Sequence, residues 1–136
     1  RNHFAFGSVA QWFYETLGGL APDDTSPGFK HFRVKPEPVG DLTSAKASFR
    51  SEYGEVSCQW VREASHLKLE VTVPGNTSAT LRVPLVGFSK LSEGGQPLLD
   101  GNIEVRQVAG LRFQRLEGDF AVFEAGSGVY SFLATD

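Results

Sequence analysis

Apolar and polar side chains alternate along most of the chain, as in strands that bury one face. The clearest case is HLKLEVTV, residues 66–73, in which polar side chains separate four apolar ones. In EVSCQWVRE, residues 55–63, the alternation places Val56, Cys58 and Trp60 on one face. Turn signals interrupt the pattern about every ten residues. The strands that we predict cover residues 29–35, 42–51, 55–63, 66–73, 78–83, 87–91, 103–108, 111–117, 120–125 and 129–134.

The first twenty residues follow a different period. Apolar side chains recur at helical spacing from Asn2 to Leu17, and only a few positions between them are polar. A helix that is apolar nearly all round normally lies inside a larger helical assembly. Gly18-Gly19 can end the helix, and the segment 21–29, with two prolines and two aspartates, is predicted to be a linker or an ordered loop.

These patterns predict the fold class. Short strands joined by tight turns, with no helix between them, are typical of an antiparallel sandwich or barrel. We expect an all-β fold, an antiparallel β-sandwich of jelly-roll-like form, preceded by one N-terminal α-helix. The predicted units are residues 1–28, the helix with its linker, and residues 29–136, the sandwich.

Composition narrows the classes of function. The chain has 136 residues, 13 basic and 16 acidic side chains, and a net charge of -3. This balance argues against a nucleic-acid partner, and no apolar run approaches the roughly 20 residues of a membrane-spanning helix. Cys58 is the only cysteine, which excludes an internal disulfide. Methionine is absent even at position 1, so we expect a processed or excised piece of a longer protein.

Catalytic and metal-binding patterns are weak. His3, His31 and His66 do not share the spacing of metal ligands, so we expect no metal and no cofactor. Cys58 is in phase with the predicted core, where a thiol behaves as a small apolar group. The acidic residues form no convergent pair in the sequence, and we interpret those of the predicted strands and turns as a solvated face.

Carbohydrate binding through exposed aromatic rings is a more serious possibility. Sandwich modules can stack sugars on flat rings, but Trp60 is in register with the predicted core. Tyr53 and Phe88 are better placed for exposure, although two separate rings are a weak signal. Asn76-Thr77-Ser78 matches a glycosylation sequon on a predicted turn.

Several motifs follow one another in a specific order, among them NHFAFG at residues 2–7, KPEP at residues 35–38 and the stretch 40–60. Together they resemble the C-terminal region of bacterial α-L-rhamnosidases, the glycoside hydrolases of family 78. NHFAFG at residues 2–7 resembles the start of the helix that closes the family's (α/α)6 barrel. A Pro-Asp pair, a Pro-Gly-aromatic step and KPEP at residues 35–38 follow in the family's order. Residues 40–60, 69–84 and 124–132 are similar to later stretches of the family, with Asp41 and Phe49 as small departures.

The resemblance implies a function for the parent protein. Enzymes of this family hydrolyse terminal α-L-rhamnosyl linkages with inversion, using two glutamates of the barrel that would precede Arg1. The resemblance therefore implies a non-catalytic sandwich that caps and stabilises the barrel, and a fragment that is inactive alone. The resemblance implies that His3, which matches a histidine of the closing barrel motif, helps to bind rhamnose. The alternative is a histidine at the helix start that hydrogen-bonds only the local backbone. The implied partners are the rest of the barrel and, in the parent enzyme, a rhamnosylated carbohydrate.

Other interpretations stay open on the sequence. An autonomous carbohydrate-binding sandwich is the alternative function. The apolar N-terminal helix predicts that the fragment could also self-associate through it. The sequence indicates neither the cellular compartment nor the aglycone.

Overall fold

The computed structural model describes residues 19–22, 30–101 and 103–136. These residues form twelve β-strands and no helix. None of their elements could therefore cross a membrane as a helix. The strands are β1 (Leu20–Pro22), β2 (His31–Val34), β3 (Ser44–Ser51), β4 (Gly54–Arg62), β5 (His66–Val73), β6 (Ser78–Pro84), β7 (Lys90–Glu93), β8 (Gln96–Asp100), β9 (Ile103–Glu104), β10 (Leu111–Glu117), β11 (Phe120–Ala125) and β12 (Gly128–Thr135).

The strands are arranged in two sheets. The five-stranded sheet has the order β1-β2-β6-β11-β10, and the seven-stranded sheet has the order β3-β4-β5-β12-β7-β8-β9. β2 and β6 are parallel, whereas the other paired strands are antiparallel. The chain crosses repeatedly between the sheets, so strands distant in sequence become neighbours.

The core lies between the two sheets because the alternating pattern directs one face of each inward. Trp60 and Phe132 of the seven-stranded sheet, and Phe32 and Phe123 of the five-stranded sheet, are at most 1% exposed. The rings of Phe123 and Phe132 connect the sheets, with centroids 5.8 Å apart. The inward face predicted for residues 66–73 is confirmed, since its four apolar side chains are buried.

The predicted fold class requires a correction. The prediction of an antiparallel, jelly-roll-like sandwich preceded by one N-terminal α-helix is wrong as stated. The described residues contain no helix, and one pair of their strands is parallel. The predicted helix, 2–17, lies outside the described residues. A period-two pattern identifies strands but does not give their direction, and β6 returns parallel to β2 after β3, β4 and β5 have crossed to the other sheet.

Several local boundaries also differ. Part of the segment predicted as a linker is β1, which pairs with β2 through Ala21 opposite Arg33. The segment around Pro97 forms β8, which the sequence pattern missed because proline is disfavoured in strands. The division of the chain at residue 28 stays a prediction.

Candidate functional site

Two of the residues considered for chemistry belong to the core. Cys58 and Trp60 are 0% exposed on adjacent inward positions of β4, which confirms the interpretation of their face as buried. Burial raises the pKa of the Cys58 thiol, so it stays protonated and unreactive in the folded protein. Trp60 presents no surface on which a sugar ring could stack.

The two other aromatic candidates are only partly accessible. Tyr53 lies in the turn between β3 and β4, and the Nζ of Lys30 lies 5.2 Å from the centroid of its ring. Phe88 packs against the edge of the core. These positions do not form the flat, exposed aromatic platform that the carbohydrate-binding alternative requires.

The sequon lies on a tight turn. Asn76 is exposed and has a φ of 63°, a left-handed conformation that asparagine tolerates better than most residues. The hydroxyl of Thr77 is buried and donates to the carbonyl of Pro74 at 2.6 Å. Turn geometry thus accounts for this motif.

The histidines do not converge. His3 lies outside the described residues, and its role in substrate binding stays a prediction. His31 lies in the five-stranded sheet and His66 in the seven-stranded sheet. Within the described part of the chain, no three metal-binding side chains are grouped so that they could hold an ion.

A polar network crosses the outer face of the five-stranded sheet. His31 on β2 lies opposite Ser78 on β6, and Thr80 lies opposite Glu124 on β11. The imidazole Nδ1 is 2.6 Å from the Ser78 hydroxyl, and Nε2 is 3.0 Å from the Thr80 hydroxyl. Thr80 then donates to the Glu124 carboxylate at 2.6 Å. Four side chains therefore join three neighbouring strands.

The direction of these hydrogen bonds follows from the number of protons. Thr80 has one hydroxyl proton, which it gives to Glu124, so it can only accept from His31. Nε2 of a neutral His31 must then carry the proton, and Nδ1 must accept from the Ser78 hydroxyl. With His31 in this neutral form, all bonds in the network point from Ser78 toward the carboxylate.

A second group of charges lies farther along the same face. Glu117 on β10 accepts from Arg82 at 3.0 Å and from Arg115 at 2.9 Å. These hydrogen bonds, that from Arg82 first, hold the pKa of Glu117 below its ordinary value. Nearby, the Nζ of Lys35 lies 5.1 Å from the centroid of the Phe120 ring. Arg82, Glu117 and Lys35 line a surface depression of about 440 Å³.

The network does not have the geometry of a hydrolytic triad. A serine nucleophile needs a base whose other nitrogen is oriented by a third group. Glu124 is 3.9 Å from Nε2 of His31, beyond hydrogen-bond distance, and Thr80 occupies that nitrogen instead. The arrangement binds strands to one another and presents a fixed polar surface.

Sequence reasoning missed this network. His31 is separated by 47 residues from Ser78 and by 49 from Thr80. Their outward positions on predicted strands were a usable signal. The sequence gives no such signal for which strands are neighbours, because the parallel pairing of β2 and β6 depends on the whole fold.

Comparison with known proteins gives a consistent result. Residues 19–96 match the family described as "Bacterial alpha-L-rhamnosidase C-terminal domain". An alpha-L-rhamnosidase of Streptomyces avermitilis is 35% identical over 131 residues, which cover 96% of this chain and 11% of that protein. One from Formosa agariphila is 36% identical over 100 residues, covering 74% of this chain and 11% of that protein.

Two solved structures with a similar fold are also alpha-L-rhamnosidases. The structure from "Dictyoglumus thermophilum" has a TM-score of 0.78 at 29% identity, covering 99% of this chain and 14% of that one. The Streptomyces avermitilis enzyme complexed with L-rhamnose has a TM-score of 0.74 at 32% identity, covering 98% of this chain and 11% of that one. The chain thus spans only about a tenth of the length of the relatives that it matches.

Proposed function

Since the chain belongs to the bacterial alpha-L-rhamnosidase C-terminal domain family, we propose that it is a non-catalytic domain that caps and stabilises the catalytic barrel of such an enzyme. The parent enzyme would hydrolyse terminal α-L-rhamnosyl linkages of plant-type glycans or glycosides. Its partners would be the barrel and, in the parent, the rhamnosylated substrate.

The observation that carries this proposal is the unequal coverage of the alignment. Nearly all of this chain, 96%, aligns with a protein named as an alpha-L-rhamnosidase, but with only 11% of that protein. A domain that forms so small a part of a hydrolase can contribute by packing against the rest, and the barrel glutamates implied by the family would supply the chemistry.

The reaction would proceed with inversion at the anomeric carbon. An inverting pair of carboxyl groups is about 6.5–9.5 Å apart, which leaves room for water on the far side of the sugar.

Two carboxylates of this chain, both on the five-stranded sheet, already have hydrogen-bond partners within the fold. Glu117 is paired with arginines and Glu124 accepts from Thr80. These hydrogen bonds and ion pairs support a structural role for this surface.

The proposal is tested on the parent enzyme. We expect the full enzyme to release rhamnose from p-nitrophenyl α-L-rhamnoside, with the β-anomer as the first product seen by NMR. We expect the isolated 136-residue chain to release none. Removing residues 19–136 should lower the melting temperature of the enzyme. Hydrolysis by the isolated chain would contradict the non-catalytic role, and an unchanged melting temperature would contradict capping.

A further inference from the structure

The outer faces of the two sheets differ in exposure. On β2, β6 and β11, which are consecutive in the five-stranded sheet, every residue is buried or half-buried. On the seven-stranded sheet, outward residues such as Gln59, Lys68 and Glu70 are exposed. Val122 on β11 is the sharpest case, because it lies opposite Arg82, outside the main core cluster, and is only 1% exposed. The face of the five-stranded sheet is therefore unlike an ordinary solvated face.

Long side chains on this face are already held in place. Arg82 and Arg115 share Glu117, and His31 is bonded through both ring nitrogens. Ordering a flexible side chain at an interface costs about 0.5–1.5 kcal/mol, so a surface ordered in advance binds a partner at lower cost. This organisation is what a docking surface requires.

The charge of this face differs in sign from that of the chain. Five basic side chains lie on it or at its border: Arg33, Lys35, Arg82, Arg112 and Arg115. Three acidic side chains lie among them or at the same border: Glu37, which pairs with Lys35 at 3.8 Å, Glu117 and Glu124. The complete sequence has 13 basic and 16 acidic residues. The face, which we name the basic sheet face, is therefore complementary to an acidic surface.

The position of β1 indicates which part of the parent enzyme carries the acidic surface that faces the basic sheet face. The match to the family begins at Gly19, immediately before β1, and β1 is an edge strand of this sheet. Gly19 is fixed against the end of β2, where its carbonyl accepts from the Lys35 amide at 2.7 Å. A Cβ at Gly19 would lie 2.5 Å from the Lys35 carbonyl carbon, so the chain enters the sheet along a narrow path. The preceding polypeptide is thus attached beside the basic sheet face.

We propose that the basic sheet face is the surface on which the polypeptide preceding Gly19 in the parent enzyme docks, through an acidic patch. This inference rests on the proposed function and adds to it the surface and the sign of the charge. The exposed outer face of the seven-stranded sheet then stays in contact with water.

Two histidines provide a matched pair of probes. The side chains of His31, on the basic sheet face, and His66, on the seven-stranded sheet, are 24% and 25% exposed. In the intact parent enzyme at neutral pH, we expect diethyl pyrocarbonate to label His31 severalfold more slowly than His66, as measured by mass spectrometry of the two peptides. Equal rates would overturn the inference.

Charge reversal distinguishes docking from the local hydrogen bonds of His31. In the parent enzyme, Arg82→Glu should raise the labelling rate of His31 severalfold and leave that of His66 unchanged, which also shows that the domain remains folded. Lys68→Glu, on the other sheet, should change neither rate. If Arg82→Glu leaves the labelling rate of His31 unchanged, the proposal of an acidic partner is wrong.

Two further results separate this inference from the proposed function. Protection of His31 that disappears on dilution would show that a second copy covers the face, and would overturn the inference. If His31 and His66 react equally while removal of residues 19–136 still lowers the melting temperature, capping stands and only the assigned surface fails. If neither effect is seen, both proposals fail.

Discussion

Arg62 connects the end of β4 to the long connection between β2 and β3. Its guanidinium donates to three backbone carbonyls, those of Pro38 at 2.8 Å, Gly40 at 2.8 Å and Leu42 at 2.7 Å. The described connection 35–43 has no strand of its own, so these bonds supply much of its attachment. Arg62→Ala should therefore destabilise the fold.

The expected loss follows from the type of bond. A hydrogen bond involving a charged group contributes about 1.5–3 kcal/mol when it is well shielded. The bond to Gly40 is exposed to water and contributes less, and the three bonds are not additive. We expect Arg62→Ala to lower the free energy of unfolding by about 2–4 kcal/mol. Arg62→Lys keeps the charge but cannot form the three-way contact, so its loss should be about half as large.

The measurement is urea unfolding of the chain, followed by tryptophan fluorescence and circular dichroism. For a domain of this size, 1 kcal/mol corresponds to roughly 3–5 °C in Tm. Arg112→Ala is the control, because it removes an exposed guanidinium from β10, and it should change stability by less than about 0.5 kcal/mol. If Arg62→Ala is as stable as this control, the guanidinium contacts do not hold the connection.

Two further predictions concern titratable groups. Tyr130 donates to the Gly126 carbonyl at 2.8 Å, and its pKa is raised by burial and then by Glu93. Its contribution to the stability of the fold is therefore present below the unfolded pKa of about 10 and is lost as the pH rises through the folded pKa. Urea titrations should show that Tyr130→Phe costs about 1 kcal/mol at pH 7 and reduces this alkaline loss, and an unchanged alkaline slope would refute the assignment. The pKa of Glu117 is lowered by hydrogen bonds from Arg82 and then from Arg115. The contribution of Glu117 to the stability of the fold is therefore present above the unfolded pKa of about 4.3 and is lost as the pH falls through the folded pKa. Glu117→Gln should flatten the decrease of Tm in acid, and a decrease equal to that of the parent chain would show that the pairing has no effect on stability.

Local sequence patterns were sufficient for much of the fold. The alternation in residues 55–63 and 66–73 identified β4 and β5 and the faces that they bury, because the side chains of a strand point alternately to its two sides. The same reasoning assigned Cys58 and Trp60 to the core. The motifs quoted from the sequence also pointed to the family that the comparisons show.

The arrangement of the strands was outside the reach of these patterns. β1 was missed because its three residues, with Pro22 among them, have no period of their own and become a strand only by pairing with β2. The parallel pairing of β2 with β6 depends on three intervening strands crossing to the other sheet. A local pattern has no information about such neighbours, since strand pairing is a contact between distant segments.

The sequence by itself determined most of the strands, the faces that β4 and β5 bury and the family to which the chain is related. These properties depend on the identity of residues within a few positions of one another. Only the tertiary structure decided that His31, Ser78, Thr80 and Glu124 form one network and that basic side chains from β2, β6 and β10 share a face. The reason is physical: hydrogen bonds and charges act over a few ångströms in space, whatever the distance along the chain.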